Sequence, residues 1–301
     1  MRIAITGSTG LIGTALVEWF SKNGHSITRI VRDSHPSGAN RCVVWDPNQR
    51  RIDAAALEGH DVVIHLAGES IASGRWTAER KARIRDSRIQ GTSLISETLA
   101  KLSHRPRVLL SASAIGYYGN RDPNETLDES SKPGSGFLAE VCSQWEQATA
   151  PAQAAGIRVV NMRFGIVLSS RGGALAKMLP PFKLGVGGKI GSGNQIMSWI
   201  ALDEIPTAVS HLIANEALSG PVNFVSPNPV SNAEFTRVLG RVLSRPTIFP
   251  VPALAAKIMF GEMADELLLG GARVIPKKLQ ESGYKFTYPN LEQALKQVLD
   301  Q

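Results

Sequence analysis

Three observations predict an α/β fold built on a doubly wound parallel sheet. Over the first half of the chain, short β-branched runs alternate with longer amphipathic stretches, the pattern of strand–helix–strand units. Three regularly spaced glycines follow the first strand-like segment and open the first helix-like one. The length, 301 residues at 43% hydrophobic, suffices for two ordinary domains, or for one large domain with a smaller lobe, around a sizeable core.

In chain order, strands are expected at 2–6, 26–31, 41–45, 61–66, 107–111 and 157–164, each a short run dominated by Ile, Val or Leu. Helices are expected between them at 11–22, 77–103 and 137–154, the last closing at Gly156, a suitable C-terminal cap. From about Gly172 the rhythm breaks into Pro- and Gly-rich loops, first at Pro180-Pro181 and then from Gly185 to Gly193. Short strands follow at 221–225 and 247–249, with helices at 203–215 and 232–243. This irregular region is the natural place for a substrate lobe. No internal repeat or low-complexity tract is present.

Composition excludes several classes. A disordered or fibrous chain does not fit, and apolar runs such as Val108-Leu109-Leu110 are far too short to cross a bilayer, so no membrane partner is expected. The first residues enter a strand-like run directly, with no secretory signal expected. Two cysteines, Cys42 and Cys142, fit a reducing compartment and a cytoplasmic location. The net charge of +7 comes from bases spread along the chain. The one dense stretch, Arg80 to Arg88, is helix-like and lacks interleaved aromatics, so a solvated face or a site for a small anion is expected there rather than nucleic-acid binding. The six histidines form no short-spaced pairs, and no metal site is expected.

The run Thr6-Gly7-Ser8-Thr9-Gly10-Leu11-Ile12-Gly13 follows the first strand and opens the first helix. Gly7 permits a tight turn, Gly10 lets backbone approach a pyrophosphate, and Gly13 lets helix and sheet pack closely. Free N–H groups at the helix start would then face the anion. The plainer reading is a glycine-rich turn without a ligand. At the end of the second strand, Arg32 offers a planar fork suited to a 2′-phosphate, whereas Asp33 lies one residue later, which favours NADP over NAD. Arg32 could also be only an exposed loop residue.

These motifs, together with Ile64-His65-Leu66-Ala67-Gly68 and Ser111-Ala112-Ser113 running into Tyr117-Tyr118-Gly119, resemble the extended short-chain dehydrogenase/reductases of the nucleotide-sugar epimerase superfamily. Within it, Gly68-Glu69-Ser70-Ile71, Arg75-Trp76-Thr77, Ser87-Arg88, Pro180-Pro181-Phe182, the 187–193 glycine loop and the tail Gly283-Tyr284-Lys285-Phe286 with Tyr288-Pro289 are similar to the atypical YfcH-type epimerase family proteins. The resemblance implies an NADP-binding Rossmann domain over 1–171, completed by elements near 197–225. It also implies a substrate lobe over 172–301 that includes a family-specific segment at about 247–298. By position, it places Gly7, Ser8, Thr9, Gly10, Leu11 and Ile12 along the pyrophosphate and Arg32 at the 2′-phosphate. Leu66, Ala67 and Gly68 fall at the adenine-side ribose, with Ser111, Arg88 and Arg163 at nearby polar groups of NADP(H). Leu66 and Ala67 could equally be strand-end packing, and Arg163 the partner of a buried carboxylate.

The chain departs from the superfamily in one respect that bears on chemistry. The helix after the fifth strand reads Phe137-Leu138-Ala139-Glu140-Val141-Cys142, without the tyrosine and lysine that form the usual Tyr-x-x-x-Lys pair, and no such pair exists elsewhere. Ser113 aligns with the superfamily's catalytic serine, and Tyr117 or Tyr118 could offer a phenol from the loop; Ser113 and Tyr117 are the two candidate catalytic residues. Glu140 could be a base or a plain surface carboxylate. The 185–193 loop could close over a substrate or be a connector. The subgroup's usual Trp-Ile-His-x-Asp-Asp is here Trp199-Ile200-Ala201-Leu202-Asp203-Glu204, which puts a role for that histidine position in doubt. Three functions follow as expectations. The first is an NADP(H)-dependent oxidoreductase or epimerase-like enzyme acting on a small polar molecule; the second is a catalytically silent NADPH-binding sensor or scaffold. The third, a nucleic-acid-associated protein, rests on charge alone. A homodimer through the helices near 77–103 and 137–154 is possible.

Overall fold

The computed structural model describes residues 1–32 and 41–300. The first strand, β1 (Arg2–Thr6), leads through the glycine turn into α1 (Leu11–Lys22) and back to β2 (Ser26–Val31). Beyond it come β3 (Arg41–Asp46), β4 (Arg51–Ile52), β5 (Val62–His65), α2 (Ala78–Lys101), β6 (Val108–Ala114) and α3 (Phe137–Gln147). Strands Arg158–Phe164 and Gly220–Phe224 complete an eight-stranded sheet. Its order is Gly220–Phe224, Arg158–Phe164, β6, β5, β1, β2, β3, β4. Every pairing in it is parallel except β3 with β4.

This order places the site. The chain leaves β1 toward β2 and β3, then returns to the other side of β1 as β5. The connections therefore diverge at the carboxyl ends of β1 and β5, and such a switch point opens a crevice there.

Strand residues divide between the two faces with the two-residue period of a sheet. Ile3 and Ile5 join Leu16, Phe20, Leu212 and Phe224 on the α1 side. Ala4 between them joins Ile30, Val63, Leu94, Leu99 and Val159 on the α2 side. Both groups are fully or nearly fully buried, which is why these strands read as continuous apolar runs. A further core, built on Trp199, Phe235, Leu239, Phe182 and Leu295, serves the second half of the chain.

Three expected elements differ. The helix expected over 137–154 is two, Phe137–Gln147 and Ala150–Ala154, because Pro151 has no N–H for an upstream carbonyl and instead opens a new helix. Pro180-Pro181, expected in a loop, lies inside the helix Gly173–Lys183. Both prolines are exposed while Leu175, Leu179 and Phe182 are buried, so apolar packing of the opposite face holds the helix despite the two missing N–H groups. The strand expected at 247–249 is irregular chain. Its neighbour Val251 bridges Ile190 instead, and Ile248 and Phe249 are left exposed.

The tail is fastened by Glu204, at the start of the helix Glu204–Ala214. Its buried carboxylate accepts from the Tyr284 hydroxyl and from the backbone N–H groups of Thr287 and Tyr288. That fully satisfied carboxylate ties a segment 80 to 84 residues away in sequence onto the start of this helix.

Candidate functional site

Thr6 at the end of β1 sets the geometry. Its Oγ1 accepts from the backbone N–H groups of Leu66 and Ala67, 3.0 and 3.2 Å away, and lies 2.8 Å from His65 Nδ1. The carboxyl ends of β1 and β5 are thus clasped together. Because Thr6 Oγ1 accepts two N–H groups, its own proton goes to His65 Nδ1, which leaves the imidazole neutral with its proton on Nε2. Complete burial favours the same state and pushes the His65 pKa down to about 4.

The glycines behave unequally. Gly7 has φ +64°, and a β-carbon there would lie 2.9 Å from the Leu66 carbonyl carbon. A β-carbon on Gly13 would sit 2.1 Å from the Gly7 carbonyl oxygen. Both glycines are therefore required by the protein's own backbone. Gly10 is different, since its φ is −77° and its β-carbon would meet only the Gly7 oxygen, at 3.3 Å. The space beside Gly10 is not used by the chain, which is what an approaching ligand would need.

Gly10 is also the N-terminal cap of α1, with no side-chain capping bond and no acidic residue in the first turn. The free N–H groups there, at the positive end of a 12-residue helix, make a ready anion site. Two buried polar atoms beside the turn, Ser8 Oγ and Arg29 Nε, have no partner among the described residues. Arg29 reaches up from β2 to within 3.5 Å of the Ser8 carbonyl and has no carboxylate partner among the described residues. Thr9 and Gly10 are exposed, Leu11 and Ile12 are half-buried, and Leu11 packs on Gly172 and Gly173. Arg32 is exposed at the end of β2, and Asp33 lies outside the described residues. The structure thus gathers Gly7 to Ile12, Leu66 and Ala67 at one switch point. It adds Arg29, which composition could not distinguish from any other strand arginine.

Gly68 is exposed and lies against the Arg88 guanidinium, which donates to the carbonyls of Glu69 and Ile84, both at 2.9 Å, and stacks on Trp145. Ser111 is fully buried within β6 with its hydroxyl toward the Ala112 carbonyl.

A second cluster forms at the ends of β6 and of the strand Arg158–Phe164. Ser113 and Arg163 are register partners there. The Ser113 hydroxyl donates to Glu146 Oε1 at 2.7 Å, and Arg163 grips both oxygens of the same carboxylate, Nε to Oε1 at 2.7 Å and Nη2 to Oε2 at 2.8 Å. Its third nitrogen, Nη1, donates to the Tyr118 hydroxyl at 2.9 Å. That hydroxyl also lies 2.8 Å from Asn223 Oδ1, and burial pushes the Tyr118 pKa up to about 12. Burial works against the charge on Arg163, but its bonds to Glu146 and Tyr118 more than offset this and raise its pKa. Arg163 therefore sits among protein partners, the alternative left open by the sequence, and Glu146 is the buried carboxylate.

The first turns of α3, where the family's Tyr-x-x-x-Lys pair is expected, hold Phe137, edge-on to Trp76, and the buried Leu138, Ala139, Val141 and Cys142, with no tyrosine or lysine to move a proton. Glu140 is exposed to solvent. One carboxyl missed by sequence reasoning lies nearby: Glu266, from the tail, accepts the N–H groups of Phe137 and Leu138, and burial raises its pKa. Gly136, at φ +102°, admits it, since a β-carbon there would lie 2.5 Å from Glu266 Oε1. The 185–193 loop is backed by chain 245–253. Gly188 has no room for a β-carbon beside the Phe249 carbonyl, and Lys189 Nζ donates to the Ser192 carbonyl. A groove of about 770 Å³ near Arg50, Glu58, Glu97 and Lys101 lies on the β4 edge, away from both clusters. Three of its charged groups are already engaged, Arg50 with Glu97 and Glu58 with two backbone N–H groups. Among the described residues no group of three His, Cys, Asp or Glu side chains could hold a metal.

Comparison with known proteins agrees with this architecture. The NAD dependent epimerase/dehydratase family matches residues 3–224, and a domain of unknown function, DUF1731, matches residues 251–298. The chain is 44% identical over 293 residues to epimerase family protein Mb2239 of Mycobacterium bovis, covering 97% of this chain and 96% of that one. It is 36% identical over 300 residues to epimerase family protein YfhF of Bacillus subtilis, covering 99% and 98%. Among solved structures, human epimerase family protein SDR39U1 (isoform 2), crystallised with NADPH, superposes with a TM-score of 0.91 at 32% identity over all of both chains. A nucleoside-diphosphate sugar epimerase from Corynebacterium glutamicum has a TM-score of 0.80 at 38% identity, with 99% of this chain matching 58% of that one. With that match over residues 3–224 and such relatives along nearly its whole length, the chain belongs to the NAD dependent epimerase/dehydratase family.

Proposed function

We propose that the chain binds NADP(H) across the β1–β5 switch point and is an oxidoreductase or epimerase-like enzyme for a small polar substrate. The observation that carries this reading is the open side of Gly10 at an uncapped helix terminus, flanked by the unpartnered Ser8 Oγ and Arg29 Nε. Such a site is complete only with an anion present. Arg32, exposed at the β2 end, supplies the fork for a 2′-phosphate. The human relative, crystallised with NADPH, supports the same choice of dinucleotide.

When bound, the nicotinamide supplies hydride chemistry, and the residues of this chain supply orientation and proton handling. Ser113 has its proton committed to Glu146, so its oxygen is oriented to accept from a substrate hydroxyl. Arg163 holds the Glu146 carboxylate in place with two bonds and carries the Tyr117 ring on its face, 3.5 Å from the guanidinium carbon. Tyr117 is the phenol available at this edge, because the Tyr118 hydroxyl is consumed by Arg163 and Asn223. A second reading, an NADPH-binding sensor or scaffold without turnover, is favoured by the lack of any tyrosine or lysine in α3, the helix that carries the usual proton relay.

Calorimetric titration of nucleotide-free protein with NADPH and with NADH, at two salt concentrations, tests the proposal. One NADPH per chain at roughly micromolar or tighter affinity, with NADH much weaker, is expected. No binding of either dinucleotide would make the glycine turn purely structural and remove the enzyme reading.

A further inference from the structure

Ten large hydrophobic side chains are strongly exposed among the described residues, and seven of them fall in two short segments, 184–186 and 248–259. They include Leu184, Ile248, Leu254, Ile258 and Met259, all more than 60% exposed. The segments are neighbours in the fold: Gly185 packs on Pro246, Gly188 on the Phe249 carbonyl, and Ile190 bridges Val251. Leu254 and Ile258, one helical turn apart, share a face of the helix Ala253–Phe260, and of its residues only Ala256 is buried. Only Phe260, at its end, packs on a core, that of Trp76, Ile84, Leu138 and Met263, while Leu254, Ile258 and Met259 are turned to solvent, unlike the apolar face of an ordinary surface helix.

Within the two segments the charge is of one sign. Stretches 183–193 and 244–261 contain Lys183, Lys189, Arg245 and Lys257 and no aspartate or glutamate. Lys257 is paired with Asp265, while Lys183, Lys189 and Arg245 are exposed and have no carboxylate partner among the described residues. An apolar surface carrying unpaired bases complements a surface that is apolar beneath and anionic at its boundary. Two copies of this chain meeting through the same face would instead set these bases against one another.

We propose that this face docks reversibly on the surface of an anionic phospholipid membrane. Leu184, Ile248, Phe249, Leu254, Ile258 and Met259 enter the headgroup boundary, and Lys183, Lys189 and Arg245 contact the lipid phosphates. The expectation of no membrane partner rested only on the lack of a spanning run, and no helix among the described residues is long and apolar enough to cross a bilayer. Docking needs no span. The face adjoins the candidate site, because Arg75, seven residues beyond Gly68, donates to the Ile258 carbonyl at 2.6 Å and Lys81 of α2 pairs with Glu262 just past the helix. A docked molecule would hold the edge of its cleft close to the lipid.

Flotation of the full chain with phosphatidylcholine vesicles, with and without phosphatidylglycerol, tests this. Comigration with the anionic vesicles is expected, reduced about tenfold in pure phosphatidylcholine and several-fold at high salt. The double variant Leu254→Glu/Ile258→Glu should lose the binding while keeping the wild-type circular dichroism spectrum, and Lys183→Gln/Arg245→Gln should weaken it without touching the helix. No comigration with anionic vesicles, or comigration undiminished in the double variant, would overturn the proposal. So would a concentration-dependent dimer, seen by light scattering and abolished by the double variant in the absence of vesicle binding, which would assign the face to a second copy.

Discussion

The guanidinium carbon of Arg163 lies 3.5 Å from the centre of the Tyr117 ring while its nitrogens grip both oxygens of Glu146. One buried cation thereby orients a phenol, a carboxylate and, through that carboxylate, the Ser113 hydroxyl. The arrangement places three polar side chains at the carboxyl edge of the sheet without the tyrosine–lysine pair common to related folds.

Replacing Arg163 by Met should cost about 3–5 kcal/mol, because Glu146 would be left buried and uncompensated. Tyr117→Phe should stay within about 0.5–1 kcal/mol of wild type, since the ring and its stacking are retained. Urea denaturation of the two variants measures both. An Arg163→Met protein as stable as wild type would show that the pair does not hold this edge together.

Gly13→Ala and Gly10→Ala should separate folding from binding. The first forces a methyl to 2.1 Å from a backbone oxygen and should lower stability by several kcal/mol or prevent folding. The second meets only one atom at 3.3 Å, so the protein should fold while dinucleotide affinity drops about tenfold or more. Thermal melts paired with calorimetry read the two effects, and a Gly10→Ala protein with unchanged affinity would place the ligand elsewhere.

Arg32→Glu should weaken NADPH about tenfold or more and leave NADH nearly unaffected, because only the former carries the 2′-phosphate. Arg29→Met is expected to weaken dinucleotide binding without loss of stability, since the half-buried Arg29 guanidinium has no carboxylate to abandon among the described residues. Equal affinities for both dinucleotides in the Arg32→Glu and wild-type proteins would sink the specificity argument.

His65 should make stability depend on pH. In the unfolded chain it takes a proton near its ordinary value of 6.5, whereas in the fold burial holds it neutral down to about 4. Between these values the unfolded state binds more protons, so the contribution is fully present above pH 6.5 and is lost as pH falls toward 4. The loss is on the order of 3 kcal/mol for a shift of this size. His65→Gln, which can still accept from Thr6, should flatten the denaturation midpoint over that window. Parallel pH curves for the two proteins would refute the assignment.

Much of the sheet is legible in the chain, and the reason is local. Each central strand is buried on both faces, so each is a continuous apolar run, and β1, β2 and α1 begin and end where the pattern says. The misjudged elements have separate causes: at 137–154 Pro151 breaks the helix, at Pro180-Pro181 a proline's usual meaning yields to packing, and at 247–249 a strand-like run has no partner strand. Glu146 gave no signal at all. A glutamate in an amphipathic helix reads as solvent-facing until Arg163, 17 residues later on a strand, is brought beneath it.

What the sequence determined by itself is therefore the set of features whose cause is near in the chain: alternation of strands and helices, the glycine turn, and the missing tyrosine and lysine. The tertiary structure decided which groups share a cluster, and so which charges are neutralised and which remain bare. It paired Arg163 with Glu146, left Arg29 Nε and Ser8 Oγ without partners beside Gly10, and brought 184–186 against 245–251 as an exposed apolar and basic face. The physical reason is that burial and Coulomb interaction depend on distance in space, and only the folded path of the chain fixes that distance.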